Sequence, residues 1–533
     1  MKAATLALVL AFAPASASSL PAPSAPIALV SGGSIRGALD SAEGGAVFKG
    51  VPFAEPPVKN LRWREPQPVR PWKGIRDTTR FGAACIQNPF GTGIFIKPLA
   101  RLYGSSYEPS KIEMSEDCLY LNVWTPEWPP KNAAPVMVWI HGGSNVMGSG
   151  SEATYNGAAL ARNGVVVVTI NYRLGALGFF AHPALTRESP HHASGNYGLL
   201  DQIAALEWVQ ASIARLGGDP RRVTVFGESA GAIDAGLLLC SPLAENLVER
   251  AIMESGPVLG TAHHPSSLAK GERFGESVAR ALGAGDIAKL REVPPAAVIQ
   301  AYGETAAREG DPGMVIDGWF LRASPAELFA QGKQLPVDVI VGNNGWEMSA
   351  FRAAAPKGVQ RSAAGGGSIQ RAVRMFYGGA TPLVVGLFAV DSAFDRTEAA
   401  DRWLNDVILA CPEMAMATLN AGGHRAYVYQ FLRSVPGKGQ KALGSFHSLE
   451  LPYLFGAFRL PAWSWLPFEP QDIALGESMR SYWTNFAATG NRVLNRFGDC
   501  AQGPCYRPLP SPDCVERRFL VGPGWYERGG GDW

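Results

Sequence analysis

The stretch that decides the fold is Arg222-Val223-Thr224-Val225-Phe226-Gly227-Glu228-Ser229-Ala230-Gly231-Ala232. A β-branched and aromatic run ends on Gly-Glu-Ser-Ala-Gly, and the helix-compatible run from Ala232 to Leu239 follows directly. The order predicted is strand, sharp turn, helix, with a serine hydroxyl exposed at the turn. Small residues are required at Gly227 and Gly231, because a Cβ there would crowd strand against helix. The start of the new helix also aims free N–H groups and a positive dipole end toward the serine, an arrangement suited to an anionic intermediate.

Upstream, Val136 to Ile140 and Val165 to Ile170 are fully apolar runs, as expected for strands of a sheet covered on both faces. Gly198 to Leu216 has helical period, with Leu199, Ile203, Leu206, Val209 and Ile213 on one face, and Gly217-Gly218-Asp219-Pro220 stops it. Ile27 to Phe53 reads as short strands and turns. Further helices are predicted over Leu268 to Leu282, Ala323 to Gln331 and Glu477 to Ala488, and further strands over Pro336 to Val341 and Ala426 to Leu432. Strands alternating with helices predict an α/β fold whose large central sheet is mostly parallel and covered by helices on both faces.

The 533 residues are 47% hydrophobic and 18% charged, with a formal charge of +2, so wholesale disorder and a strong field toward nucleic acid or anionic lipid are excluded. Arg62-Trp63-Arg64 is accordingly expected to be a packed extended segment rather than a nucleic-acid patch. Met1-Lys2, the apolar run Ala3 to Ala13 and the small-x-small site Ala15-Ser16-Ala17 predict a secretory signal peptide over residues 1–17. Residues 18–533 are expected to form one domain, with no membrane span.

Export makes disulfides plausible for the seven cysteines, and an odd count leaves at least one unpaired. Cys85 and Cys118 enclose a Gly/Pro-containing loop and are the expected pair by position. Cys500 with Cys505, across Ala-Gln-Gly-Pro, and Cys411 with Cys514 are further candidates, and Cys240 is expected to be a buried thiol. No Cys or His spacing suits zinc, so neither metal nor cofactor is expected.

A serine hydroxyl needs a base, and the base an orienting partner. Among eight histidines, His141 is placed to shape its loop, while His182, His191, His192, His263 and His264 fall in turns and polar loops. His447 and His424 remain as bases on local features. Glu347 stands just past the C-terminal end of a strand, where ligand-facing residues of parallel sheets collect; Asp317, in Val315-Ile316-Asp317-Gly318, reads as a turn residue. Glu347 and His447 give the chain order Ser, acid, His of α/β-hydrolases. The tetrahedral oxyanion needs N–H donors: Ala230, next to the nucleophile, and Gly143 and Ser144 in the loop after Ile140. One such donor is worth ~3–4 kcal/mol of barrier.

From about Ile35 to Gly490 the chain resembles the type-B carboxylesterases, the carboxylesterase/cholinesterase family of α/β-hydrolases. Phe226 to Gly231 is similar to the family's nucleophile signature, and Ser115-Glu116-Asp117-Cys118-Leu119-Tyr120-Leu121-Asn122-Val123 to its second. Gly342 to Glu347 resembles the acid loop, and His447 through Gly456 the histidine loop. The resemblance implies a catalytic Ser229-His447-Glu347 triad, a Cys85–Cys118 disulfide, and a secreted or periplasmic esterase acting on a small-molecule ester.

The chain departs from the family pattern in three places. Ser144 and Asn145 stand in the oxyanion loop, where Asn145 is expected to make the pocket mouth more polar. The acid loop reads Trp346-Glu347-Met348, and no Trp lies between Cys85 and Cys118, which argues against choline esters. The triad also suits amide or lactone cleavage, and a non-catalytic recognition protein of this fold is the reading from another class. Segments Arg101 to Ser110 and Gly310 to Trp319 are expected to contribute pocket walls.

Overall fold

The computed structural model describes residues 25–40, 44–259, 264–355, 396–420 and 424–491, with backbone alone for 396–400. The predicted signal peptide, His263, and the pairings proposed for Cys500 with Cys505 and Cys411 with Cys514 involve residues outside these.

Among the described residues nine strands form the main sheet: β1 (Ala38–Asp40), β2 (Gly45–Pro52), β3 (Tyr120–Thr125), β4 (Ala134–Ile140), β5 (Val166–Ile170), β6 (Gly218–Glu228), β7 (Arg250–Glu254), β8 (Asp338–Asn344) and β9 (Ala426–Phe431). Their order is β9-β8-β7-β6-β4-β5-β3-β2-β1. The six from β9 to β5 are mutually parallel, whereas β3, β2 and β1 join antiparallel at one edge. The sheet is therefore mixed, with its parallel part where the sequence shows unbroken apolar runs. A smaller sheet of Ile27–Val30, Gly33–Arg36 and Ile75–Asp77 lies near the N-terminus.

Alternation along the strands builds two cores, because successive side chains leave opposite faces. Val136, Val138, Val223, Val225, Ala251 and Val339 join one apolar cluster; Met137, Trp139, Phe226, Ile252 and Ile340 join the other. The first is covered by α2 (Tyr197–Ser212) and α3 (Ala230–Leu239), the second by α6 (Pro470–Thr489), through Met479, Trp483 and Phe486. Three shorter helices matter below: α1 (Gly93–Leu102), α4 (Pro295–Glu309) and α5 (Glu347–Ala354).

Helix α2 is shorter than its period suggested, ending at Ser212 before a 3-10 turn over Ile213–Leu216. It is buried on nearly every side, and even its Asp201 is inside, where it receives a bidentate pair of bonds from Arg173. Helix α6 starts at Pro470, seven residues before the expected Glu477, because Glu469 and Asp472 form a reciprocal capping box. Strand β8 continues past Val341 to Asn344, since Asn343 and Asn344 still pair with Gln430 and Phe431. Cys85 and Cys118 form the expected disulfide, and Cys240 is a buried free thiol. Arg62 and Trp63 are buried, with Arg62 gripping both carboxylate oxygens of Glu116 at 2.6 and 2.7 Å. Among the described residues no helix is long and apolar enough to cross a membrane.

Candidate active site

Because β4, β6, β7, β8 and β9 run parallel, the loops leaving their C-terminal ends collect at one edge of the sheet. The turn after β6 holds Ser229 at φ 57° and ψ −124°, a strained backbone for a non-glycine residue. Three contacts hold it there: its N–H donates to Glu254 O at 2.8 Å, and its carbonyl accepts from Ala232 N and Ile233 N at 3.0 and 3.1 Å. A Cβ on Gly231 would stand 2.0 Å from Ile140 O, so α3 can leave the sheet this steeply only over glycine.

Glu347, at the start of α5, is wholly buried. Its Oε1 accepts from Ser255 Oγ and from the Asn344 N–H, both at 2.6 Å, and its Oε2 lies 2.6 Å from His447 Nδ1. That contact fixes the imidazole plane and places the Nδ1 proton toward the carboxylate. Phe351 and Phe95 flank the ring, with centroids 4.7 and 6.3 Å away. His447 and Ser229 line the same pocket, whose other walls include Ile233, Pro257, Met348, Phe351, Ile408 and Leu409. The segments Arg101 to Ser110 and Gly310 to Trp319 do not line it. Part of its wall comes instead from α5, through Met348 and Phe351, and from a π-helical turn, Asp406–Ala410, through Ile408 and Leu409.

A fourth group joins these three, one that no local sequence feature marks. Glu228 Oε1 stands 3.1 Å from His447 Nε2, the nitrogen that faces away from Glu347, and it also accepts from Ser448 Oγ at 2.7 Å. Ser229 Oγ makes no hydrogen bond among the described residues, so in this arrangement Nε2 faces the Glu228 carboxyl, an interaction of charge at 3.1 Å, and is not bonded to the hydroxyl. Burial pulls the His447 pKa down, but the charges of Glu228 and Glu347 and the Glu347 hydrogen bond outweigh it and raise the pKa to about 9. Burial pushes the Glu228 carboxyl up, against the pull of His447 and Ser448. The two compete for one proton, and two flanking carboxylates favour leaving it on the imidazole.

Of the other candidates, His424 lies 3.8 Å from Asp338, at the opposite end of β8 from the site, which removes it as a base. Asp317 accepts from the Trp319 and Leu321 N–H groups, the turn role expected of it. His141 is wholly buried, stacks on Tyr172 with centroids 4.4 Å apart, and has Nδ1 2.9 Å from Gly142 O. Burial lowers its pKa to about 4, so it is a neutral support for the loop. His191, in its loop, lies flat on Trp319, 3.8 Å between centroids.

The loop after β4 runs through left-handed backbone at Gly143 (φ 104°), Ser144 (φ 57°) and Asn145 (φ 57°). Gly142 brings it against the elbow: a Cβ there would meet Glu228 O at 2.7 Å and Ser229 Cβ at 3.1 Å. Among the described residues the Gly143 and Ser144 N–H groups have no hydrogen-bond acceptor. The Ala230 N–H stands at the first position of α3, where no intrahelical partner exists. The expectation for Asn145 is overturned. It is buried, bonded to Asp234 and Tyr172, and adds nothing polar to the mouth.

Comparison with known proteins agrees with this architecture. Two solved structures of PNB esterase, 28% and 30% identical to this chain, superpose with TM-scores of 0.71 and 0.70 and cover 89% of it and 92% of their own chains. A fumonisin B1 esterase of Sphingopyxis macrogoltabida is 45% identical over 317 residues, which are 59% of this chain and 56% of that one. A medium-chain fatty acyl-CoA hydrolase precursor of Anas platyrhynchos is 34% identical, with 86% of this chain and 83% of the relative aligned. Carboxylesterase 1C of Mus musculus is 32% identical, with 84% and 81% aligned. The carboxylesterase family model matches residues 24–499. With that match over nearly the whole sequence, an α/β-hydrolase fold and these relatives, the chain belongs to the carboxylesterase family and is a carboxylic ester hydrolase.

Proposed function

We propose that Ser229, His447 and Glu347 carry out ester hydrolysis through an acyl-enzyme. His447 Nε2 takes the Ser229 proton as Oγ attacks the ester carbonyl, while Glu347 orients the ring and offsets its positive charge. The N–H groups of Gly143, Ser144 and Ala230 receive the oxyanion. The alcohol leaves with the proton from His447, and water, deprotonated by the same nitrogen, then releases the acid. For the first step Nε2 must be neutral and turned from Glu228 toward the hydroxyl.

The observation that carries this reading is the bond from His447 Nδ1 to Glu347, 2.6 Å long, beside a pocket that His447 shares with a serine in strained backbone. Several walls of that pocket are apolar, namely Ile233, Met348, Phe351, Ile408 and Leu409, which suits small-molecule esters with an apolar acyl or alcohol group. The relatives' names span a fumonisin, a fatty acyl-CoA and other esters, so the family alone does not narrow the substrate. The disulfide and the N-terminal signal pattern favour a secreted or periplasmic protein, cleaved after Ala17 into one catalytic domain.

Ser229→Ala tests the mechanism. Turnover of a p-nitrophenyl ester is expected to fall roughly 10⁴–10⁶-fold, and an organophosphonate should label the wild-type protein once, at Ser229. A Ser229→Ala protein with wild-type rates ends the proposal. Slow turnover of the matching anilide separates an esterase from an amidase.

A further inference from the structure

Asn145 is the one residue between Gly143 and Val146 that turns inward, since Ser144 and Val146 are both exposed. Its Nδ2 donates to Asp234 Oδ1 at 2.9 Å, and its Oδ1 lies 2.9 Å from Tyr172 OH. Asp234 Oδ2 in turn accepts from Gln202 Nε2 at 2.6 Å, and the single Tyr172 O–H proton is shared between Asn145 Oδ1 and His141 O, the latter 2.8 Å away. The Asn145 carbonyl accepts from the Gly175 N–H at 2.7 Å. All four side chains are buried, so none of these bonds competes with water.

The position of the partners gives the network its meaning. Asp234 lies on α3, the helix that begins with Ala230 directly after Ser229. Asn145 lies on the loop that carries Gly143 and Ser144. The bond between them ties together the two elements that supply the three oxyanion donors, and so fixes the distance across the hole. Donors of this kind stabilise charge only where they are already aimed at the developing oxyanion, and a shift of about 1 Å can cost ~10²-fold in rate.

We propose that Asn145 and Asp234, braced by Tyr172 and Gln202, are positioning residues that hold the oxyanion loop and the α3 N-terminus in register for transition-state binding. The inference rests on the assignment of Gly143, Ser144 and Ala230 as the oxyanion donors. The polarity of the pair is directional: the amide N–H donates to a carboxyl oxygen, and the amide oxygen is left for the Tyr172 hydroxyl.

Exchanging the two residues provides the test. Asn145→Asp sets two carboxyl groups face to face and removes the amide donor between them. Asn145→Asp with Asp234→Asn restores a donor opposite an acceptor, with Tyr172 OH still able to donate to position 145 and Gln202 Nε2 to position 234. With a p-nitrophenyl ester, Asn145→Asp is expected to lower kcat about 10–100-fold with KM within about threefold, a range set by the cost of misplaced oxyanion donors. Affinity for a trifluoromethyl ketone, whose adduct carries the oxyanion, should fall by the same factor. The double exchange should recover most of both.

Asn145→Ala, which introduces no second carboxyl, gives the same comparison if Asn145→Asp fails to fold. A kcat and ketone affinity within twofold of wild type in these single variants overturns the inference. So does a double exchange that recovers the thermal midpoint but not kcat, which would mark the pair as merely structural. Failure of the underlying mechanism looks different: wild type and Ser229→Ala would then turn over ester equally, whatever the Asn145 variants do.

Discussion

At the scale of single residues, the decisive feature is that the imidazole lies between two carboxylates. His447 serves as base only with Nε2 unprotonated, so kcat/KM rises as pH increases through its pKa. Burial lowers that pKa, yet the charges of Glu228 and Glu347 carry it up to about 9. Glu228→Gln removes one of these charges and keeps the side chain's shape, so the acid limb of the pH–rate profile should move to lower pH, toward the ordinary imidazole range. A profile that superposes on wild type would show that the Glu228 charge does not act on the base. Glu347→Gln acts differently, because the amide can present a donor to the Nδ1 proton and so favours the wrong tautomer; kcat is expected to fall about 10³–10⁴-fold. Glu228 belongs to the stretch that decided the fold, yet its second role was invisible there. It depends on where a loop more than two hundred residues later returns to the sheet, and no local pattern encodes that return.

At the scale of elements, the turn between β6 and α3 is the most constrained joint. Gly231→Ala would drive a Cβ to 2.0 Å from Ile140 O and 2.9 Å from His141 O, both backbone atoms that cannot swing aside. Overpacking of this kind costs ~1–3 kcal/mol or more, so a large fall in the denaturation midpoint in guanidinium is expected. Gly303→Ala makes the opposite case. Gly303 lies within α4, with nothing within 4 Å of a Cβ there, and the substitution should stabilise the protein by roughly 0.5–1 kcal/mol. Equal midpoints for the two variants would refute the steric account of the elbow. The joint was legible because glycine spacing after a β-branched run has few other uses. Element ends were less so: β8 outlasts its apolar run because Asn343 and Asn344 are held by β9, and α6 starts early on a cap formed by two acids rather than on its first apolar residue.

At the scale of the whole molecule, apolar runs and their alternation announced a covered sheet with a core on each face, but nothing in them announced how many carboxyls would lie inside. Local sequence marks Glu152, Asp234 and Glu254 only as acids; the assembled fold buries Asp234 and Glu254 and half-buries Glu152, whose Oε1 is cut off from solvent. Burial raises the pKa of Glu152 and of Asp234 to about 7 and that of Glu254 to about 8. Each holds its proton in the fold at a pH where the unfolded chain has released it. Their contribution to stability is therefore complete below the ordinary carboxyl range and is lost as pH rises through 7 and 8. His447, raised to about 9, has the same sign over that interval. His141, lowered to about 4, has the opposite one, but it acts only between that value and the ordinary imidazole pKa of 6.5. Between about pH 6.5 and 7 all four groups act together, and from 7 to 8 Glu254 and His447 continue alone, each unmatched proton contributing about 1.4 kcal/mol per pH unit, so the thermal midpoint should fall as pH increases. Glu254→Gln isolates one of them. Glu254 Oε1 accepts from Trp483 Nε1 at 3.0 Å, a bond the amide oxygen can keep, while its Oε2 has no hydrogen-bond partner among the described residues. The difference in midpoint between Glu254→Gln and wild type should shift in favour of the variant with each step from pH 6.5 to 8. Parallel curves across that interval would mean that Glu254 is already ionised in the fold.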